Sequence, residues 1–450
     1  MLATGRSNMG FFDNIFSKNK KKMFVLGLDG VPFTFMERMI KEGKMPVFKS
    51  LLNKGDFKRM NSVLPTISSV AWSTFMTGKD ASGHNIFGFI DRKADPFKLY
   101  IPTAKHLKAP TIWDKLGEKN MKSVVLNVPV TYPPKEIKGT LVSGFLATDI
   151  SKATFPKETA QELEAMDYVI DADTWVARDS KKKFIGDLNY ALDRRFKTVF
   201  KFMEEKKWNY FQCHIMETDR INHFYWQDMV EENPDFVSSF YEFYKKIDEY
   251  IGKLQNRLDD DTQLIILSDH GFSKIKKEVQ LNYWLEEKGY LKYNKVKDNV
   301  ENLENMSSKT KAYSLLPGRI YINRKGREEM GSVSASEYFQ LREKLKEELL
   351  ELEDKETNEK IIKDVFFREE LYNGPYLEQA ADLIVVPERG YDLKGKAAPE
   401  NFMEKGFIQG MHTYDDAFIY LKNNEHGLNL DEVDKIRDVN PLILKYFLED

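Results

Sequence analysis

The chain has 450 residues, room for about three units at ~150 residues each. Hydrophobic residues at 42% and charged residues at 31% describe a globular protein with a substantial core. Lys+Arg 68 against Asp+Glu 71 leaves a formal net charge of −3, without the basic excess of a dedicated nucleic-acid binder, so no nucleic-acid binding is expected.

One cysteine excludes an internal disulfide framework and a Cys-rich zinc module. Any metal site must draw on the seven histidines, on carboxylates and on hydroxyls. Residues 1–22 read as a flexible leader. Within it Phe11, Phe12, Ile15 and Phe16 precede Lys18, Lys20, Lys21 and Lys22. That order suits either a soluble leader or a weak peripheral contact with an anionic membrane surface. The chain lacks a signal peptide's order of basic, apolar and small residues, and no apolar run approaches the ~18–20 residues of a spanning helix. With the lone cysteine, this predicts a cytoplasmic location.

The first strand is predicted over residues 23–28, ending in Asp29-Gly30. Thr34 and Glu37 have capping-box spacing, and Met36, Met39 and Ile40 form the inner stripe of a helix that stops at Gly43. A helix beginning near Ser69 turns Ala71, Trp72, Phe75 and Met76 inward. Strands are predicted over 123–129 and 139–144, an amphipathic helix over 186–206, and a strand over 209–215. Phe240, Phe243, Tyr244, Ile247, Ile251 and Leu254 recur at helical spacing, and 263–268 is a buried strand. Such alternation predicts a mainly parallel sheet covered on both faces.

The texture changes after about residue 275. Residues 292–311 are polar, and Tyr338, Leu341, Leu345, Leu349 and Leu352 mark a charged surface helix. A strand is expected over 361–367. The core pattern returns at 382–386 and 417–421, and a closing helix follows over 441–448. The predicted organisation is a leader over 1–22, a metal-binding core over 23–279, a cap or insert over 280–380, and core completion with the C-terminal helix over 381–450.

Several segments end an apolar run with a residue able to ligate a metal. They are Asp29; Asp269-His270-Gly271; Asp219 with His223; and His412 just before the strand at Ala417. Each alone has a plain structural alternative. Asp29 suits a helix cap, Asp219 and His223 suit a surface pair at i, i+4, and Asp269-His270 suits a hydrogen-bonded buried pair. Ser68 precedes an apolar helix. It fits an N-cap, and equally a nucleophile placed where helix N–H groups favour an anion. Cys213 and His214 are adjacent on a strand and face opposite ways, so they form no catalytic pair. Neither a Walker loop nor a dinucleotide glycine fingerprint is present.

Taken in order, these segments resemble the alkaline phosphatase superfamily, in its type I phosphodiesterase/nucleotide pyrophosphatase branch. The matching pieces are Val25 through Gly30, Ser68 through Trp72 with Thr77-Gly78, His84 through Phe89, Asn127 through Pro134, Asp219 to His223, Asp269-His270-Gly271 and His412. The resemblance implies an α/β three-layer sandwich with a mainly parallel central sheet and an inserted cap region. It implies two divalent metal ions, zinc first and manganese second. Asp29, Ser68, Asp269 and His270 would hold one, and Asp219, His223 and His412 the other. Ser68 would be the nucleophile and form a phosphoseryl intermediate.

The chain departs from the family pattern in carrying Ser68 where Thr is usual, Asn85 in place of a glycine, and Gly88-Phe89 in place of an Asp-Asn pair. That puts a nucleotide substrate in doubt. Arg92 is then a candidate phosphate clamp, or a surface arginine. Trp72 could stack on an aromatic leaving group, or belong to the core. His84 sits in a matching loop without a role, and His106, His214 and His426 read as structural or surface residues. The expected activity is metal-dependent cleavage of a phosphodiester or pyrophosphate bond in a small-molecule phosphate ester. A phosphomonoesterase or phosphomutase on the same site comes next, and an inactive phosphate-binding relative last. A sulfatase lacks support, because its Cys/Ser-x-Pro-x-Arg motif is missing.

Overall fold

The computed structural model describes residues 21–294, 302–397, 399–423 and 427–449. The leader's aromatic residues and His426 lie outside them. An eight-stranded sheet organises the chain, in the order Gly55–Met60, Ala417–Lys422, Gln263–Leu267, Met23–Leu28, Tyr210–Ile215, Ser123–Leu126, Gly139–Val142 and Thr154–Phe155. The five strands from Gln263–Leu267 to Gly139–Val142 run parallel, while Ala417–Lys422 and Thr154–Phe155 are antiparallel to their inner neighbours. This is the α/β sandwich with a mainly parallel sheet that the strand–helix alternation predicts.

Alternation along each strand builds two cores. In Met23–Leu28, residues Phe24, Leu26 and Leu28 face a core completed by helices Phe33–Lys41, Lys181–Glu205, Glu217–Val230 and Val237–Gln255. Met23 and Val25 face the other core, which holds helices Ser68–Thr77, Ile112–Glu118 and Val439–Leu448. Gly27 also lies in this strand, and a Cβ there would collide with the Trp72 ring. The glycine thus lets the Ser68–Thr77 helix lie close to the sheet.

Two local expectations give way. The capping box does not form: Pro32 occupies the N-cap, Thr34 lies inside the helix, and its backbone N–H and hydroxyl both donate to Asp416. Proline fits there because its fixed φ matches the −69° of this N-cap. The strand Leu383–Pro387 does not rejoin the main sheet. It pairs with Arg319–Ile322 and Ile362–Phe367 in a four-stranded antiparallel sheet of its own. That sheet and helix Ala335–Leu350 form a third apolar cluster, which also takes in Val70, Ala81 and Phe87.

Candidate metal centre at the strand ends

The crevice beyond the C-terminal ends of the parallel strands is where open α/β sheets gather ligands. Strand Met23–Leu28 delivers Asp29 there, and strand Gln263–Leu267 delivers Asp269 and His270. Asp219 and His223 project from helix Glu217–Val230 at i, i+4. His412 lies on strand Gly410–Thr413, opposite Phe272 in an antiparallel pair. Ser68 opens its helix as the first helical residue, behind an Ile67 N-cap. Ser68 is therefore not a cap, and neither is Asp29. Gly30 has φ 66°, and a Cβ there would collide with Phe272 beside His270, so only glycine suits this turn.

All seven residues expected as ligands meet in this crevice. The Ser68 hydroxyl donates to Asp29 Oδ1 at 3.1 Å and lies 3.2 Å from His270 Nε2. His270 Nε2 is also 3.5 Å from Asp29 Oδ1 and 3.4 Å from Asp269 Oδ2. On the other side, His412 Nε2 is 3.1 Å from His223 Nε2 and 3.2 Å from Asp219 Oδ1. Ligand atoms of Asp29, Asp219 and His270 lie within 4.8 Å of one another, as do those of Asp219, His223 and His412.

The outward ring nitrogens explain which atoms face inward. His223 Nδ1 meets the Gly410 carbonyl at 2.8 Å, His270 Nδ1 the Gly271 carbonyl at 3.1 Å, and His412 Nδ1 the Thr66 carbonyl at 3.2 Å. A carbonyl only accepts, so each Nδ1 carries the proton, and the neutral rings of His223 and His270 turn a bare Nε2 inward. The Nε2 atoms of His223 and His412 and the Asp219 Oδ1 atom face one another across about 3 Å. Asp269 Oδ2 and Asp219 Oδ1 are buried without a hydrogen bond among the described residues. Such a cluster of acceptors could hold a cation. The donor set, carboxylate and imidazole with one hydroxyl, fits divalent metals.

The electrostatics agree. Burial, with repulsion from Asp29, pushes Asp269 well above the carboxylate range. Burial opposes ionisation of Asp29 and Asp219 too, but the His214 hydrogen bond holds Asp29 low, and the His223 and His412 rings hold Asp219 low. Burial depresses His223 to about 4 and His270 to about 3, which keeps both rings neutral. His412 is buried as well, yet its contact with Asp219 raises it.

Sequence reasoning missed two participants, His214 and Arg220, and gave Trp72 another role. His214 is wholly buried and donates from Nε2 to Asp29 Oδ2 at 2.7 Å. Trp72 is equally buried and donates from Nε1 to the same oxygen at 3.0 Å. It offers no face to a leaving group and holds Asp29 instead. Arg220 donates to Asp219 Oδ2 at 3.2 Å and to Asp171 Oδ2 at 2.6 Å. The strand alternation that separates His214 from Cys213 also puts it on the Trp72 face, which was the available signal. Arg92 is neither a clamp nor a surface residue. It is buried, 2.7 Å from Glu328, with its guanidinium over the Tyr321 ring. Gly88 stands where the family pattern has a side chain, and a Cβ there would strike the Arg319 guanidinium. The space is filled from the 312–387 region, by an arginine paired with Asp91 at 2.6 Å.

The family model described as type I phosphodiesterase / nucleotide pyrophosphatase matches residues 23–415. Among solved structures, phosphonoacetate hydrolase from Sinorhizobium meliloti 1021 is similar at TM-score 0.62 and 14% identity, covering 95% of this chain and 96% of that one. Murine ectonucleotide pyrophosphatase / phosphodiesterase 5 is similar at TM-score 0.57 and 14% identity, and the human protein at 0.57 and 16%, with 95% of each chain covered in both comparisons. No curated protein sequence matches.

Proposed function

The chain belongs to the type I phosphodiesterase / nucleotide pyrophosphatase family of metal-dependent phosphoester hydrolases, and on that premise we propose that it cleaves a phosphodiester or pyrophosphate bond with Ser68 as nucleophile. The observation that carries the reading is the contact of the Ser68 hydroxyl with Asp29 and His270, at the lip of a buried ring of unpaired acceptors. We infer two divalent cations, zinc first and manganese second. Asp29, Ser68, Asp269 and His270 would hold one, and Asp219, His223 and His412 the other. Cations bound there polarise phosphoryl oxygens and lower the pKa of a coordinated hydroxyl or water.

The chain's own groups account for the rest. Asp29 Oδ1 accepts the Ser68 hydroxyl hydrogen and aims the oxygen at phosphorus. His214 and Trp72 occupy Asp29 Oδ2, so that carboxylate cannot rotate. The Ser68 Oγ–P bond forms as the P–O bond to the leaving group breaks, and the proton that serine gives up passes through solvent to the leaving oxygen. A water molecule then cleaves the phosphoseryl ester and restores Ser68, so one water is consumed overall. Residues 280–380 act as the cap in this reading, since Leu316, Pro317 and Lys363 border the same cavity as His223 and His412.

Metal analysis combined with turnover of bis-p-nitrophenyl phosphate and p-nitrophenyl phosphate tests the assignment. Bound divalent metal with faster diester cleavage is expected. Faster monoester cleavage moves the reading to a phosphomonoesterase. Metal-free protein inert toward both overturns it.

A further inference from the structure

A cavity of about 250 Å³ adjoins the centre on the side of His223 and His412. Its floor is the loop that leads into Ser68, and its far wall comes from the 312–394 region. Leu64, Ile67, Leu316, Val385, Leu393 and Met411 make it aliphatic. The charged groups that border it already satisfy one another. Asp415 holds Arg389 at 2.8 Å and Lys363 at 3.6 Å, and Asp392 holds Lys394 at 2.6 Å. The Thr66 hydroxyl donates to the Val63 carbonyl. Phe89 and Tyr414 are the aromatic lining residues, and the Phe89 ring is already stacked on Phe145, with centroids 5.3 Å apart.

A pocket for a nucleobase would need aromatic faces and unpaired donors or acceptors to read the base edge. This wall offers mostly methyl and methylene groups; most of its polar atoms are already paired, and the Thr413 hydroxyl is buried without a partner among the described residues. Position matters as well. In-line displacement puts the leaving oxygen on the far side of phosphorus from the nucleophile. Ser68 sits with Asp29 and His270, so the leaving group faces His223, His412 and the cavity.

We propose that this cavity is the leaving-group pocket and that it takes an aliphatic alcohol, making the substrate a phosphodiester whose departing arm is an alkyl group. The inference rests on the hydrolytic reading above. Ser68 Oγ bonds to phosphorus while the P–O bond to the alkyl oxygen breaks, and that oxygen takes a proton and departs as the free alcohol.

The test uses the metal-loaded enzyme with methyl n-alkyl phosphates, the alkyl group running from ethyl to octyl, and identifies the alcohol released. The longer alcohol is the expected product. kcat/KM rises about fourfold per added methylene until the cavity is full. Leu316→Gln flattens the octyl-to-ethyl ratio relative to the parent chain. A ratio independent of chain length overturns the proposal, as does release of methanol in place of the longer alcohol. If bis-p-nitrophenyl phosphate itself is not turned over, the hydrolytic reading falls, and calorimetric titration with n-alkylphosphonates still decides the pocket. Affinity rising with chain length supports it, and affinity indifferent to chain length overturns it.

Discussion

Ser68 shares its hydroxyl between Asp29 Oδ1 and His270 Nε2, and in the proposed assignment its removal takes away the reacting atom while Asp29, Asp269 and His270 stay. Ser68→Ala is therefore expected to lower kcat by at least about a thousandfold and to keep its metal content, measured by elemental analysis beside steady-state rates. Wild-type activity in that variant would remove serine from the mechanism. His214 touches no reacting atom. It acts through Asp29, whose Oδ2 it fixes together with Trp72. His214→Phe is expected to weaken metal binding about 10–100-fold in chelator competition. His214→Gln, which keeps an N–H donor, is expected to recover most of that loss. Equal losses in both variants would mean that the ring only fills space.

At the scale of elements, the Ser68–Thr77 helix owes its place to two contacts distant in sequence. Gly27 leaves room for Trp72 against the sheet, and His84 braces the helix from the far side through Thr74 Oγ1 at 3.0 Å. Gly27→Ala should cost about 1–3 kcal/mol by overpacking, read from denaturant midpoints, and should lower metal affinity because Trp72 is pushed off Asp29. His84 Nδ1 accepts the Ile86 N–H, so the ring must be neutral, and burial depresses it from 6.5 to about 3. The unfolded chain binds this proton below pH 6.5 and the folded chain does not until about pH 3. The contribution is thus complete above pH 6.5 and is lost as pH falls toward 3. Between pH 6 and 4, His84→Asn should show a stability slope shallower by about 1.4 kcal/mol per pH unit; an unchanged slope would assign the acid sensitivity elsewhere. These contacts also mark what the sequence could reveal. Asp269-His270 was legible because an unbroken apolar strand ends in two polar residues, which locally has few explanations. His214 was not, because a strand pattern fixes its face but not its neighbour across the sheet. Arg92 looked exposed because its partner Glu328 stands 236 positions away. Leu383–Pro387 reads like any buried strand, and apolar composition does not say which sheet it joins.

Across the whole molecule, the main sheet's two cores enclose a crevice in which Asp29, Asp219 and Asp269 are buried together with His270, beside the half-buried His223 and His412. Among the described residues no helix is long and apolar enough to cross a membrane. Folding brings the three carboxyls together against burial and mutual repulsion, and the clearest sign is Asp269, driven well above its ordinary value. A cation that binds the folded crevice and not the unfolded chain offsets that cost. At a free metal concentration of 100 Kd the gain is about 2.7 kcal/mol per site. For 450 residues, with an unfolding entropy near 2.1 cal/mol/K per residue, that corresponds to about 3 °C in Tm for each site. Chelation should therefore lower Tm in calorimetry, and added zinc or manganese should restore it with a concentration dependence. His412→Ala should keep the shift contributed by the Asp29, Asp269 and His270 half while losing the other. A Tm indifferent to chelator and to added metal would mean that the acceptor-lined crevice holds no cation, and the two-metal assignment would fall with it.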